Sequence, residues 1–146
     1  MVLRAWHVPA RLATGAFILN SGLGKLKETD EEHHKQVHGA AANAYPAFES
    51  MDPQTFTRML GASEVALGAA LLAPVVSPAL AGAGLTAFSG GLLGLYLRTP
   101  AMREHGSLRP SPQGIPVAKD VWMLAIGTGL VMDGVAARVR RLFRRS

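Results

Sequence analysis

The longest apolar pattern in the chain lies in its middle. No Asp, Glu, Lys, Arg or His occurs between Glu64 and Arg98, a run of 33 residues. As a single α-helix this run would measure about 50 Å, which exceeds the roughly 30 Å hydrocarbon core of a bilayer. Pro74 and Pro78 divide it, because each proline removes a helical hydrogen bond. The pattern therefore predicts two helices joined by a tight turn.

A helix start signal recurs along the sequence. Asp or Ser followed by Pro suits the N-cap and the first helical position, since the N–H that proline lacks would be unbonded there. Such pairs stand at 52–53 and 77–78, and single prolines, Pro9 and Pro116, open two further apolar segments. We predict four helices, at about residues 9–26, 53–73, 78–97 and 116–137. Each is close to the roughly 20 residues that a transmembrane helix requires.

This pattern favours an all-α fold, an integral membrane four-helix bundle formed as one transmembrane domain by residues 1–146. A soluble amphipathic helix carries a charged stripe opposite its apolar stripe, and residues 65–97 carry no charge on any face. The alternative is a soluble four-helix bundle with an apolar core, which the mean hydropathy of only +0.20 leaves open. In the membrane fold, residues 27–57 form a long external loop between the first two helices.

The net charge of +5 is concentrated at one end of the chain. Without the five arginines of the last nine residues, the remaining ten basic residues balance the ten acidic ones. A basic cluster directly after an apolar segment is typical of the cytoplasmic flank of a membrane helix, whereas nucleic-acid binding would need basic residues spread among aromatic ones. We therefore expect a multi-pass plasma-membrane protein with both termini cytoplasmic, a basic tail at 138–146 and no nucleic-acid partner. The three arginines of the loop 98–115 argue for the opposite orientation.

Ionisable groups inside a membrane span are costly unless they are paired, so they mark candidate sites. The four-helix topology gathers six such residues at the external mouth of the bundle: Lys25, Arg58, Glu64, Arg98, Lys119 and Asp120. We hypothesise that Glu64 pairs with Lys25 or Lys119 beside a polar pocket that holds a ligand, with Asp120 nearby. Interfacial anchoring is the alternative, and it suits Arg58 and Arg98 best. Asn20, in mid-span, is expected to form an interhelical hydrogen bond and is a further ligand candidate.

Two other groups of residues suggest how the helices pack. Arg11 and Asp133 lie towards the inner side and would pair if their helices are neighbours, although interfacial anchoring explains both equally well. Small residues let membrane helices approach closely. They recur here at four-residue spacing, which predicts tight contacts within the bundle or a homo-oligomer: Ala62, Ala66, Ala70, Gly90, Gly94, Ala125 and Gly129.

Composition and motifs exclude several kinds of chemistry. The chain contains no cysteine, which excludes disulfides, thiolate metal sites and cysteine nucleophiles. His34 and His38 have i, i+4 spacing and would share a metal only if their loop were helical, so we expect no metal site. No histidine falls inside a predicted span, which argues against a membrane-buried haem. No nucleotide-binding or hydrolase motif is present, and the catalytic residues, if any, are unknown.

The polar positions within these helices resemble those of the DoxX family. Arg11, a run of small and apolar residues, and then Gly24 and Lys25 resemble the first helix of that family. Glu64 followed by Gly68 and Leu71 resembles its second helix, and Lys119 with Asp120 resembles the polar start of its last helix. The resemblance covers about residues 8–137 through short motifs of common residues.

The DoxX resemblance implies one of two roles. The family is named after a membrane subunit of a thiosulfate:quinone oxidoreductase, and no catalytic set can be carried over from it. The first hypothesis is therefore a membrane subunit or anchor of a quinone-linked oxidoreductase or of redox homeostasis, with a bound quinone as the one cofactor left open. The second is a non-catalytic partner or assembly factor that binds another membrane protein. Both place the chain in the lipid bilayer as an accessory subunit rather than a stand-alone enzyme.

Overall fold

A computed structural model describes residues 4–143, apart from the side chain of Arg141. The chain is 78% helical and has no strand among these residues, which confirms the all-α class. Among the described residues, four long helices, one shorter helix and one single-turn helix follow one another. In chain order they are α1 (His7–Lys27), α2 (Glu31–Ala44), α3 (Pro53–Leu72), α4 (Pro78–Arg98), α5 (Ile115–Ala118) and α6 (Val121–Phe143), of which α2 is the shorter helix and α5 the single turn. Short 3₁₀ turns at Pro46–Phe48 and Pro100–Met102 lie in two of the connections.

The predicted start signals of α3 and α4 are confirmed. The Asp52 carboxylate accepts a hydrogen bond of 2.8 Å from the Thr55 N–H, and the Ser77 hydroxyl accepts one of 3.2 Å from the Leu80 N–H. Each cap is followed by a proline in the first turn. The bonds from Thr55 favour the ionised carboxylate and lower the pKa of Asp52 below its ordinary value.

Three predicted boundaries were wrong. The segment 27–57 is not an open loop, because α2 occupies most of its first half. The last apolar segment does not begin as one continuous helix at Pro116: α5 ends at Ala118 and α6 begins at Val121. The basic tail does not begin at residue 138 as a separate segment either, since α6 continues to Phe143. The arginines 144 and 145 of that tail lie outside the described residues.

The four longest helices form two antiparallel pairs, and glycines set the closest approach in each pair. In the α1–α3 pair, a Cβ atom on Gly22 would lie 2.6 Å from the Gly61 carbonyl oxygen. In the α4–α6 pair, a Cβ atom on Gly82 would lie 2.6 Å from the Gly127 carbonyl oxygen. Such distances leave no room for a side chain. Backbone therefore packs against backbone within each pair.

Most of the small residues that were selected by their four-residue spacing lie outside these close helix contacts. Ala62, Ala66 and Ala125 are exposed, and a Cβ atom on Gly90 or Gly129 would meet nothing within 4 Å. Gly94 is the exception, since it lies against the Tyr45 side chain. Spacing identifies small residues on one face of a helix, but it does not tell which face meets a neighbour.

A small apolar core joins the two pairs. Its buried members come from all four long helices: Ile18, Leu71, Ala81, Leu85, Met123 and Leu130. Direct contacts between the pairs are few compared with those inside each pair. The turn that links α3 to α4 lies at the same end of the bundle as the start of α1 and the end of α6. Helix α2 lies at the opposite end, against α3 and α4.

Two segments are long and apolar enough to cross a membrane, judged by length and composition: Pro78–Arg98 and Ile115–Arg140. Only 28% and 11% of their most apolar windows are buried inside the protein. The core helix of a soluble protein is mostly buried, so these two segments do not have that character. Helices α1 and α3 have similar lengths, 21 and 20 residues, but they are less apolar than α4.

Candidate functional site

The predicted ion pair of Glu64 is present, and its partner is Lys25. The Lys25 ammonium lies 3.0 and 2.9 Å from the two carboxylate oxygens of Glu64, and it also donates a 2.8 Å hydrogen bond to the Ser21 hydroxyl. The Glu64 side chain is 5% exposed and the Lys25 side chain 20% exposed. The pair therefore lies within the α1–α3 contact, with its charges satisfied by each other.

Helix geometry explains why these two side chains meet. Side chains on a helix lean towards its N-terminus. Lys25, near the C-terminal end of α1, therefore leans towards the middle of the bundle. Because α3 is antiparallel to α1, Glu64 leans from the middle of α3 in the opposite direction, towards Lys25. The contact of Gly61 with the Cβ atom of Lys25 brings the helices close enough for the pair to form, since a Cβ atom at Gly61 would lie 2.9 Å from it.

The other candidates of this group do not join the pair. Lys119 is exposed and Asp120 is partly buried at the start of α6, and neither makes an ion pair with another described residue. Asn20 is exposed on α1 and makes no side-chain hydrogen bond within residues 4–143, so the expected interhelical bond was wrong. The ion pair forms without these three side chains. Neither the cavity beside Arg103 and His105 nor the one between α4 and α6 is lined by these side chains.

Helix α2 covers the same end of the bundle. Arg98, at the end of α4, donates a 3.3 Å hydrogen bond to the Ala44 carbonyl and lies 4.6 Å from the centre of the Tyr45 ring. The Tyr45 hydroxyl donates a 2.7 Å hydrogen bond to the Gly91 carbonyl. These contacts fasten the end of α2 to α4. Arg98 is thus engaged with protein, whereas Arg58 is exposed.

The predicted pairing of Arg11 with Asp133 was wrong, because Arg11 binds backbone carbonyls instead. Its guanidinium donates hydrogen bonds of 2.7 to 3.0 Å to four carbonyl oxygens at the end of α3 and in the α3–α4 turn: Ala70, Leu71, Ala73 and Val76. The last carbonyls of a helix have no intrahelical partner and carry partial negative charge. A buried guanidinium therefore caps the C-terminus of α3. Sequence inspection looks for side-chain partners and misses this role.

Asp133 has different partners at the same end of the bundle. Its carboxylate lies 2.7 Å from the Arg4 guanidinium and 3.1 Å from Nε2 of His7. His7 is the first residue of α1 rather than a residue preceding it, and it is buried. The expectation that no histidine lies in the first span overlooked this residue. The sequence did contain one signal for this contact: Asp133 is an acidic residue in the last apolar segment, and such a residue needs a cationic partner.

The histidines of the acidic segment are in a helix, contrary to expectation. His34 is buried, and Nε2 of His38 lies 2.8 Å from the Phe48 carbonyl oxygen. Among the described residues, no group of three or more His, Cys, Asp or Glu side chains is arranged to hold a metal ion. The ring of His38 packs edge-on against Phe56 of α3. His38 thus takes part in the docking of α2 on α3.

The structure places charged side chains in three clusters: the Lys25–Glu64 pair, the Arg11 cap and the Arg4–His7–Asp133 cluster. In the first two, the buried charges are satisfied by groups of the protein itself. No protein-family model, curated protein or solved structure matches the chain.

Proposed function

We propose that this chain is an integral membrane protein of four spans, similar to DoxX proteins, and that it serves as an accessory subunit of a quinone-linked oxidoreductase. Helices α1, α3, α4 and α6 have 21, 20, 21 and 23 residues. At 1.5 Å per residue they measure about 30 to 35 Å, close to the hydrocarbon thickness of a bilayer. Their antiparallel packing brings all four across the same layer.

One observation carries the proposal: three charged side chains of α1 and α3 are turned into the protein, whereas the exposed ones, Lys27 and Arg58, lie towards the outer ends of these helices. Arg11 and Glu64 are buried and Lys25 is mostly covered, so these groups contribute little to the outer surface. The outward face of α1 presents Leu12 and Phe17, and Phe17 is 68% exposed. A face of this kind suits lipid, because in water it would expose a large apolar surface, which soluble monomers avoid.

The aromatic residues support the same placement. Trp6, next to the start of α1, and Trp122, near the start of α6, are both exposed and lie at opposite ends of the bundle. Tryptophan is enriched at both membrane interfaces. Between these levels α6 carries exposed apolar side chains, including Met132, which is 72% exposed. The chain is therefore proposed to reside in the plasma membrane. The start of α1 and the end of α6 lie at its cytoplasmic face, and the end of α1 and the start of α6 lie at its external face.

The accessory role is supported by the ion pair, in which every donor of the Lys25 ammonium already has an acceptor. The Lys25 ammonium has three donors, and three acceptor atoms of Ser21 and Glu64 surround it. A quinone carbonyl would have to displace one of them to bind there. The pair is thus better suited to fastening α1 to α3 than to binding a substrate, and the redox chemistry is assigned to a partner subunit.

The same closed pair favours a second candidate, a non-catalytic assembly factor for another membrane protein. It requires no ligand at Lys25 and Glu64, and only helix faces that are free to bind a partner. The outer faces of α4 and α6 are exposed along their length.

Purification in a mild detergent distinguishes the two candidates. After an alkaline carbonate wash of membranes, the tagged protein is purified and its extract is analysed for quinone and for subunits that carry a redox cofactor. A flavin- or iron-containing partner in stoichiometric amount supports the oxidoreductase subunit, and a stable partner without a redox group supports the assembly factor instead. Quinone that is present in the wild type and lost in the double variant Lys25→Met/Glu64→Leu would assign its binding to the pair. Release of the protein by carbonate would contradict membrane integration.

A further inference from the structure

We propose that a groove at the inner end of the bundle binds one anionic phospholipid. This inference rests on the proposed membrane location. The groove has a volume of about 600 Å³ and lies between the first turns of α4 and the last turns of α6, with the start of α1 at one side. Its residues combine a cationic end with an apolar wall, which is the chemistry that suits a lipid headgroup and its acyl chain.

The cationic end is formed by Arg4 and Arg138, with His7 and Asp133 beneath them. The 2.7 Å contact between Arg4 and Asp133 neutralises the single carboxylate of the groove. Arg138 is exposed and makes no hydrogen bond or ion pair with the other residues that the structure describes. One positive charge at the rim of the groove is therefore unbalanced even when His7 is neutral.

The first turn of α4 adds to this positive end. Ser77 and Ala79 line the groove, so the backbone at the start of α4 borders the same space as Arg138. The N-terminus of a helix carries a partial positive charge, which favours a phosphate. At the start of α4 mainly this charge contributes, because Pro78 has no N–H and the Leu80 N–H is bonded to the Ser77 hydroxyl. This contribution is added to that of the arginine, and neither would distinguish a lipid from free phosphate.

The apolar wall selects the lipid. Leu80 and Ala83 of α4 face Val139 and Leu142 of α6 across the groove, and Leu80 and Leu142 are largely exposed. Free phosphate would leave these side chains uncovered, whereas an acyl chain would cover them. Anionic lipids are also attracted to basic residues next to a membrane helix, which strengthens the preference for a lipid of negative charge.

Native mass spectrometry of the detergent-purified protein tests this site. The protein is titrated with phosphatidylglycerol and, separately, with phosphatidylcholine of the same acyl chains. We expect one retained phosphatidylglycerol, bound roughly fivefold or more tightly than phosphatidylcholine. Arg138→Gln should weaken its binding about fivefold, because it removes the unbalanced charge. The matched control is Arg140→Gln, which removes an exposed arginine of α6 outside the groove and should change binding by less than about twofold.

A second pair of variants tests the apolar wall. Ala83→Phe should fill the groove and weaken phosphatidylglycerol binding by about fivefold or more, whereas Ala87→Phe, at an exposed position of α4 outside the groove, should not. Equal effects of the two arginine variants, equal binding of the two lipids, or displacement of the lipid by millimolar inorganic phosphate would each overturn the proposal. A protein that stays in membranes after the carbonate wash but shows no lipid preference refutes this site alone. A protein released by that wash refutes the proposed function itself.

Discussion

At the scale of single residues, Gly22 decides how closely α1 approaches α3. Its missing side chain leaves the space that the Gly61 carbonyl and the backbone of Val65 occupy, at 2.6 and 2.8 Å from where a Cβ atom would be. Neither neighbour is the flexible end of a side chain, so relaxation would have to move a helix. The contact therefore tolerates no added atom without separation of the pair.

Gly22→Ala should lower the free energy of unfolding in detergent by about 2 kcal/mol, in the range seen when a packed interior is overfilled. Gly24→Ala is the matched control, because a Cβ atom there would meet nothing within 4 Å. The control should be neutral or slightly stabilising, since alanine favours a helix more than glycine does. Denaturant titration followed by circular dichroism measures both. Equal effects of the two variants would show that α1 and α3 do not approach at Gly22.

The Lys25–Glu64 pair makes a second prediction at this scale. Glu64→Gln or Lys25→Met alone should each cost about 3 kcal/mol, because each leaves one buried charge without its partner. The double variant Lys25→Met/Glu64→Leu should recover most of this loss, since no charge then remains buried. A double-mutant cycle in the same denaturant titration gives the coupling energy. Additive losses would mean that the pair does not hold α1 to α3.

Sequence reasoning was sufficient to predict this pair but not the other polar contacts. A short acidic side chain in an apolar helix needs a cation. Topology gathered several at this end, and with Arg58 and Arg98 attributed to interfacial anchoring the choice between Lys25 and Lys119 stayed open. Arg11 could not be assigned in the same way, because its partners are backbone carbonyls that every residue possesses. Asn20 was misassigned because position along a helix does not reveal whether a side chain faces a neighbour or the surroundings.

At the scale of elements, the turn between α3 and α4 depends on a side chain from α1. Arg11 reaches carbonyls on both sides of the point where α3 ends, from Ala70 to Val76. It therefore holds the end of α3, the turn and the first half of α1 in one arrangement. A lysine at this position would keep the charge but lose the fork of donors that addresses several acceptors at once.

Arg11→Lys should accordingly lower the free energy of unfolding by about 2 kcal/mol, the order of one or two lost hydrogen bonds to a charged group. Arg58→Lys, at an exposed position of α3, is the matched control and should be neutral. Thermal unfolding of the two variants in the same detergent compares them. Identical melting of both would show that the contacts of Arg11 add nothing to the stability.

The N-cap of α3 predicts a dependence on pH. The pKa of Asp52 is lower in the folded protein than its ordinary value of 3.8, so its cap stabilises the fold above that value and is lost as the pH falls through the folded pKa. An asparagine at this position would also cap the helix but does not titrate in this range. The Asp52→Asn variant should therefore lose less stability than the wild type between about pH 6 and about pH 3, as measured by thermal unfolding at each pH. Parallel loss in both proteins would exclude a contribution from Asp52.

Helix α2 shows why one element escaped prediction. Its sequence is too polar for a membrane span, and the search for apolar segments passed over it. A signal was nevertheless present: Asp30 followed by Glu31 and Glu32 is typical of a helix start, and the Asp30 side chain does accept from the Glu32 N–H. The buried positions of α2, which are His34, Ala41 and Ala44, have helical spacing. Helix α2 packs on α3 and α4, and hydropathy does not detect such a contact.

At the scale of the whole molecule, the fold is two tightly packed helix pairs with a small shared core. Hydropathy alone identifies two of the four long helices as candidate spans. In the other two, the side chains of Arg11, Lys25 and Glu64 are turned inwards, and only the three-dimensional arrangement reveals this. The starts of α3 and α4 could be predicted from prolines and caps, whereas the pairing of the helices could not, because most of their residues are equally small or apolar.

The proposed four-span architecture is tested most directly by labelling single cysteines in intact cells, since the chain contains none of its own. Ser50→Cys and His105→Cys lie in connections at the outer end, and Val75→Cys lies in the α3–α4 turn, where Val75 is 84% exposed. The first two should react with a membrane-impermeant maleimide in intact cells, and the third only after permeabilisation. Labelling of Val75→Cys alone would reverse the orientation but keep the spans. Equal labelling of all three, in intact cells or in a soluble fraction, would contradict the four-span fold.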